Sequence, residues 1–192
     1  MDLIQLDYYL FSLINGSWHT DFLDAAMPIW RNKLFWIPLY LFIASFLTIN
    51  FGRKGVLVVL CLASTIVIAD GVSSKVIKPG IERIRPCNDI QLQDSVRSLV
   101  RCGNGYSFTS SHATNHTAIA FFLIFMLGHL FKWIKIPLFL WAFSIGYGQI
   151  YVGVHYPLDV IGGMLVGFLI GLMGAEFCRT LLISIYGNSL ET

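Results

Sequence analysis

Apolar runs long enough to cross a hydrocarbon core leave this chain little choice of fold. A helix needs roughly 20 apolar residues to span a bilayer. Runs that approach or exceed this length fall at Leu34 to Phe51, Gly55 to Ile77, Ala113 to Phe131, Ile136 to Val152 and Leu158 to Ile183. Together they occupy most of the 192 residues, so one domain is expected over 1–192. Its class is all-α: a polytopic membrane helix bundle of about five spanning helices. With 12% of its residues charged and 56% hydrophobic, the chain departs from soluble domains, in which about a quarter are charged. The net charge of +2 comes without a basic tail, which excludes nucleic acid as the implied partner.

Ahead of the first run, Leu3, Leu6, Leu10, Leu13 and Ile14 share one helical stripe, with Asp2, Gln5 and Asp7 elsewhere. That is the pattern of a helix lying at a membrane surface. Asn15-Gly16-Ser17 reads as a turn, and Thr20 can cap a second short segment, Asp21 to Trp30. Residues 1–31 are therefore expected to form interfacial helices. No basic n-region leads into a short apolar core with a cleavage site, so insertion is expected to run through the internal helices.

The links Gly52-Arg53-Lys54 and Lys132 to Lys135 are tight and basic, which makes the helices they join antiparallel. The one long connection, 79–110, carries Arg83, Arg85, Arg97 and Arg101, and long polar loops between such helices carry function. Following the helices back and forth brings Lys78, Arg85, His112, His155 and Asp159 to one face of the bilayer. Cys61 and Cys178 sit in apolar runs as packing residues. Cys87 and Cys102 flank the polar loop, and either close it as a disulfide, contributing about 3 kcal/mol in the chain-entropy model, or stand as free thiols. Gly163, Gly167 and Gly171 recur every fourth residue, a spacing that lets a neighbouring backbone approach; the same spacing also serves homodimers.

Three segments combine ionisable groups with a helix end: Lys78 to Pro86, Thr109-Ser110-Ser111-His112, and Gly148-Gln149 through His155 to Asp159. Phosphoryl transfer needs a nucleophile, an acid for the leaving group, and cations or donors around the equatorial oxygens. Asp159, four residues after His155 and just past Pro157, can hold one imidazole nitrogen and leave the other free to attack phosphorus. The plainer reading is a capped helix start. Ser110 and Ser111, with the free N–H groups of the helix that follows, form a seat for an anion, where His112 can protonate a departing oxygen. Alone, that segment reads as a serine cap with His112 in solvent. Lys78 and Arg85, alone, read as snorkelling bases; beside two histidines and a carboxylate they read as phosphate ligands. Asp70, inside an apolar run, reads as a structural partner of Ser73 or Ser74, with service to the site as the alternative. His116 borders the site or packs, and His19 and His129 read as interfacial.

These residues resemble the motifs of the type 2 phosphatidic acid phosphatase (PAP2) family, which shares its core with vanadium haloperoxidases. That family carries Lys, six residues, Arg-Pro; then Pro-Ser-Gly-His; then Ser-Arg, five residues, His, three residues, Asp. Lys78 to Arg85-Pro86 matches the first motif, and His155 with Asp159 matches the end of the third. The resemblance implies a PAP2/haloperoxidase-like helical core and a metal-independent phosphatase without a cofactor. His155 would form a phosphohistidine, Asp159 would orient it, and His112 would act as acid and then as base. Lys78, Arg85, Ser110 and the N–H of Ser111 would hold the phosphate. Thr109 and Ser111 replace the family's Pro and Gly. Gly148-Gln149 stands where Ser-Arg is expected, and Gln149 brings a donor without a charge. The expectations are weaker phosphate binding, compensation by Arg83, Arg97 or Arg101, or a substrate with different charge, with a pseudoenzyme as the pessimistic reading.

By resemblance the substrate is a lipid phosphate or diphosphate. Undecaprenyl diphosphate is favoured by the small size of the chain, with phosphatidylglycerophosphate, phosphatidate and a lipid A phosphate as alternatives. A non-catalytic lipid-binding or transport protein is the competing class. Raw counting of basic residues puts the site in the cytoplasm. The site's own cations inflate that count, and a Cys87 to Cys102 bridge would need an oxidising compartment. The expected placement is the cell inner membrane with the active site facing the periplasm or exterior.

Overall fold

A computed structural model describes residues 1–188 and 190, and every regular element among them is helical. Helix α1 (Leu3–Phe11) begins with a reciprocal cap, in which Asp2 accepts from the Gln5 N–H and the Gln5 side chain accepts from the Asp2 N–H. It widens into a π-helical turn, Ser12–Ser17, where a simple turn was expected. The cause is tertiary. The buried Asn15 amide donates to the Arg97 and Tyr151 carbonyls and accepts from the Arg97 N–H, tying this turn to two distant segments. Helix α2 (Asp21–Trp30) starts under the Thr20 cap.

Helix α3 (Ile37–Gly71) is broken at Gly52, whose φ of 55° and ψ of −130° only glycine adopts without strain. Tyr40, Ile43 and Ala44 line one cavity with Val59, Leu62, Ala63 and Ile66, so the two arms double back on each other. Their approach is close: a Cβ on Gly55 would fall 1.9 Å from the Leu47 carbonyl oxygen. The second arm runs through a π-helical stretch, Val72–Ile77, into α4 (Lys78–Ile81), which ends where Glu82 turns left-handed at φ 55°.

After the loop come α5 (Ser111–Leu127), α6 (Lys135–Tyr151) and α7 (Pro157–Tyr186). The glycine stripe of α7 lies against α5. A Cβ on Gly163 would meet the Ser110 carbonyl oxygen at 2.7 Å, one on Gly167 the Thr114 oxygen at 2.3 Å, and one on Gly171 the Ala118 oxygen at 2.7 Å. The partner advances by one helical turn at each step, in the same direction. The two helices are therefore parallel and begin at the same end, and the stripe is used in packing within the chain.

The main apolar core draws Val58 and Leu62 from α3, Phe122 and Met126 from α5, Ala142 and Ile145 from α6, and Ala175 and Leu182 from α7. Outward, Ile49 is 81% and Met173 is 70% exposed. Among the described residues, two helical stretches are long and apolar enough to cross a membrane, Lys33–Ile81 and Pro157–Tyr186.

Candidate active site

The parallel pairing of α5 and α7 assembles the site. His112 lies in the first turn of α5 and His155 just before α7, and the Ser110 N–H donates to the Asp159 carbonyl at 2.9 Å, fastening the two helix starts together. Each imidazole lies within electrostatic range of the other.

His155 is buried, 2% exposed. The Arg85 guanidinium reaches its Nε2 at 3.2 Å. Arginine can only donate, so Nε2 carries the lone pair and the ring proton sits on Nδ1. Nδ1 faces the Asp159 carboxylate at 3.4 Å and the Ser107 hydroxyl at 3.3 Å. Ser107 in turn donates to Asp159 Oδ2. A relay therefore runs from the imidazole N–H through the Ser107 hydroxyl to the carboxylate, and it fixes the tautomer in which Nε2 is nucleophilic. Burial holds the His155 imidazole down at about 4, against the opposing pull of Asp159, so the ring is neutral at neutral pH.

Asp159 is itself held from several sides. Its carboxylate accepts from Arg83 at 2.8 Å and from the Tyr156 N–H at 2.8 Å. Arg83 also binds Asp7 of α1, whose other oxygen accepts from the Leu158 N–H, and it lies 4.0 Å over the Tyr156 ring. Burial pulls Arg83 down, but Asp159 and Asp7 outweigh it and raise it above its ordinary value. Asp7 of α1 thus faces inward and braces the start of α7.

The remaining phosphate-ligand candidates surround this core. Lys78 is buried and donates to the Tyr106 and Ser107 carbonyls, which clamps the loop carrying Ser107. Arg85 is anchored on the Gly105 and Val154 carbonyls. Ser110 accepts from the Ala113 N–H, as a helix cap does, while the Ser111 hydroxyl pairs with Ser73 at 2.9 Å. The first-turn N–H groups of α5 have no acceptor within the helix. Gln149 is fully buried, and its carbonyl oxygen accepts from the Arg31 guanidinium at 3.1 Å. Of the arginines named as compensators, Arg83 is committed to Asp7 and Asp159, Arg97 pairs with Asp24, and Arg101 is exposed. The cation beside Gln149 comes instead from the C-cap of α2.

His112 lines a cavity of about 360 Å³ with Lys33, Asp70 and Ser111. Asp70 accepts from Asn115 at 2.9 Å, while Ser74 bonds only its carbonyl. His116 lines the same cavity; its Nδ1 donates to the His112 carbonyl, which leaves Nε2 to accept from the Tyr40 hydroxyl at 3.0 Å. Cys87 and Cys102 are joined by a disulfide, with Cα atoms 5.9 Å apart. Among the described residues no cluster of three or more His, Cys, Asp or Glu has the make-up of a metal site. Sequence reasoning missed Ser107, Asp7 and Arg31, which carry no motif spacing, and saw Arg83 only as a spare charge.

A buried histidine with a carboxylate and a hydroxyl on one ring nitrogen and a guanidinium on the other, set in a helical bundle, has the make-up of a phosphoryl-transfer site. The description of the PAP2 superfamily matches residues 54–181. Lipid A 4'-phosphatase of Bacteroides thetaiotaomicron is 34% identical over 171 residues, 86% of this chain and 73% of its own length. The crystal structure of Aquifex aeolicus LpxE is similar at a TM-score of 0.65 and 32% identity, over 89% of this chain and 95% of that one. That of the transmembrane PAP2-type phosphatidylglycerolphosphate phosphatase from Bacillus subtilis gives a TM-score of 0.68 at 25% identity, over 94% and 89%. The chain belongs to the PAP2 superfamily and is a phosphatase of that type.

Proposed function

We propose that this chain removes a phosphate group from a membrane lipid through a phosphohistidine on His155. The observation that carries the reading is the His155 tautomer: Nε2 unprotonated toward Arg85, Nδ1–H held by Ser107 and Asp159. Nε2 forms the bond to phosphorus as the lipid oxygen leaves with a proton from His112. An anion among these cations favours the imidazolium that supplies it. His112 then takes a proton from water, the hydroxide displaces His155 from phosphorus, and free phosphate departs. Lys78, Arg85, the Ser110 hydroxyl, the Ser111 N–H and Gln149 hold the equatorial oxygens, with no metal required by this arrangement.

The lipid character of the substrate is supported by the cavity above His112. It shares Tyr40, Ile66 and Ile119 with a second, apolar cavity of about 150 Å³ between the arms of α3, a path for a hydrocarbon tail. Spanning segments on both arms of α3 and on α5, α6 and α7 give about five crossings. The active-site end would face the periplasm of the inner membrane, which suits the Cys87–Cys102 disulfide. Similarity to a lipid A 4'-phosphatase favours a phosphorylated glycolipid over the undecaprenyl diphosphate suggested by the small size of the chain.

Phosphate release in detergent and chelator from lipid A, undecaprenyl diphosphate, phosphatidylglycerophosphate and phosphatidate tests the reading. Turnover of at least one, abolished in His155→Ala, is expected; a lipid bound but never hydrolysed would establish the transport alternative. An impermeant maleimide should label reduced Cys87 in spheroplasts, and labelling only after membrane rupture would reverse the orientation.

A further inference from the structure

The three arginines whose guanidiniums pack nearest the helix starts do not share one role. Arg83 is neutralised by Asp7 and Asp159. Arg85 and Arg31 have no carboxylate partner among the described residues, and they are near enough to repel: burial, then Arg85, pulls Arg31 down to about 10. Asp159 attracts Arg85 through space, but the two half-buried like charges still repel each other, and an anionic ligand between them would offset that repulsion.

Gln149 points the same way. Arg31 can only donate, so the Gln149 oxygen must face it, which fixes the orientation of the amide. The opposite end, Nε2, is left without a partner although the residue is fully buried. Its backbone carbonyl accepts from the Val154 and His155 N–H groups, so Gln149 lies at the base of the loop that carries His155. Buried donors are nearly always satisfied in folded chains, and an unused one inside a site marks where a ligand atom completes the set.

Resting on the phosphatase reading, we propose that Arg31 is a phosphate-binding residue: with its Nε on the Gln149 oxygen, its terminal N–H groups and Gln149 Nε2 grip the substrate phosphate opposite Arg85. The pair restores the charge that Gln149 alone lacks. The cation arrives from the C-cap of α2, in a segment read from sequence as interfacial, so α2 becomes one wall of the site. Lys33, two residues on, lines the neighbouring cavity with His112 and extends the same positive rim. A site completed from this segment takes a phosphate whose carrier lies at the membrane surface.

The test uses the full-length protein in detergent, with orthovanadate as the phosphate mimic and the lipid panel as substrates. Arg31→Gln should weaken vanadate inhibition and raise KM by about 10- to 100-fold, the loss of a charge-assisted pair of bonds. The double variant Arg31→Gln/Gln149→Arg, which moves the guanidinium back onto α6, should recover most of that loss. Arg31→Lys keeps the charge and the apolar stem but not the fork, and should weaken vanadate several-fold; it carries the test if Arg31→Gln does not fold. Wild-type vanadate affinity in both single variants would overturn the assignment of Arg31 while leaving the phosphatase reading intact. A wild-type protein that neither hydrolyses any lipid phosphate nor binds vanadate would overturn both.

Discussion

Arg85 meets His155 at Nε2, 3.2 Å away, on the nitrogen opposite the one that faces Asp159. The contact leaves the lone pair on Nε2, the nitrogen that the proposed mechanism uses for attack. His155→Ala should reduce phosphate release by at least about 10³-fold. Brief incubation of the wild type with a ³²P-labelled substrate should trap an acid-labile, alkali-stable phosphoprotein. Label surviving in the His155 variant would move the nucleophile elsewhere.

With His155 as the proposed nucleophile, its depressed pKa should set the acid limb of activity. Attack needs the neutral ring, so kcat/KM should stay level from neutral pH downward and fall only near pH 4, where His155 protonates. The folded pKa lies below the unfolded value of about 6.5, so between the two the unfolded chain binds the extra proton. This group's contribution to stability is therefore intact above about pH 6.5 and declines toward pH 4. A Tm in detergent that rises on acidification through this window would contradict the assignment.

The Ser107 hydroxyl bridges His155 and Asp159. Ser107→Ala removes the hydroxyl that touches both residues and should lower kcat by about 10- to 100-fold with little change in KM. Ser107→Thr, which keeps the hydroxyl, should retain more activity. Equal loss in both would indicate a packing role instead.

Asp7 lies in the surface-like helix α1 yet is 1% exposed and clasps Arg83 and the Leu158 N–H. Asp7→Ala leaves Arg83 half-neutralised and should cost about 3 kcal/mol of stability, at the low end for a buried pair because Arg83 is partly wet. Asp7→Asn keeps the Leu158 bond and should cost less. Thermal unfolding in detergent compares them, and an unchanged midpoint in both would make α1 dispensable.

Gly167 touches the α5 backbone so closely that an added methyl has no room, with the Thr114 oxygen 2.3 Å from the ideal Cβ position. Gly167→Ala should push the two helices apart, costing about 1–3 kcal/mol. Because His112 lies in the first turn of one of these helices and His155 just before the other, activity should fall further than stability. Gly80, with nothing near its Cβ position, provides the control, and Gly80→Ala should keep its Tm.

The sequence alone determined the helical class, the helix order and the motif residues. These follow from local rules: apolar run length, capping residues, and reactive groups at fixed spacing from a helix end, as with His155, Pro157 and Asp159. The tertiary structure decided the partners. Asn15 turned a loop into a π-helical turn, Asp7 left the membrane-surface role for a brace on Arg83, and Arg31 rather than Arg83, Arg97 or Arg101 came to Gln149. Ser107 entered the relay because Lys78 and the Arg83 carbonyl hold its loop in place. Each of these contacts joins residues dozens of positions apart, and charge or hydrogen-bonding capacity read along a chain does not say which distant group will satisfy it. That choice is made when α5 and α7 close on their glycines and bring the loops at their starts into one buried space.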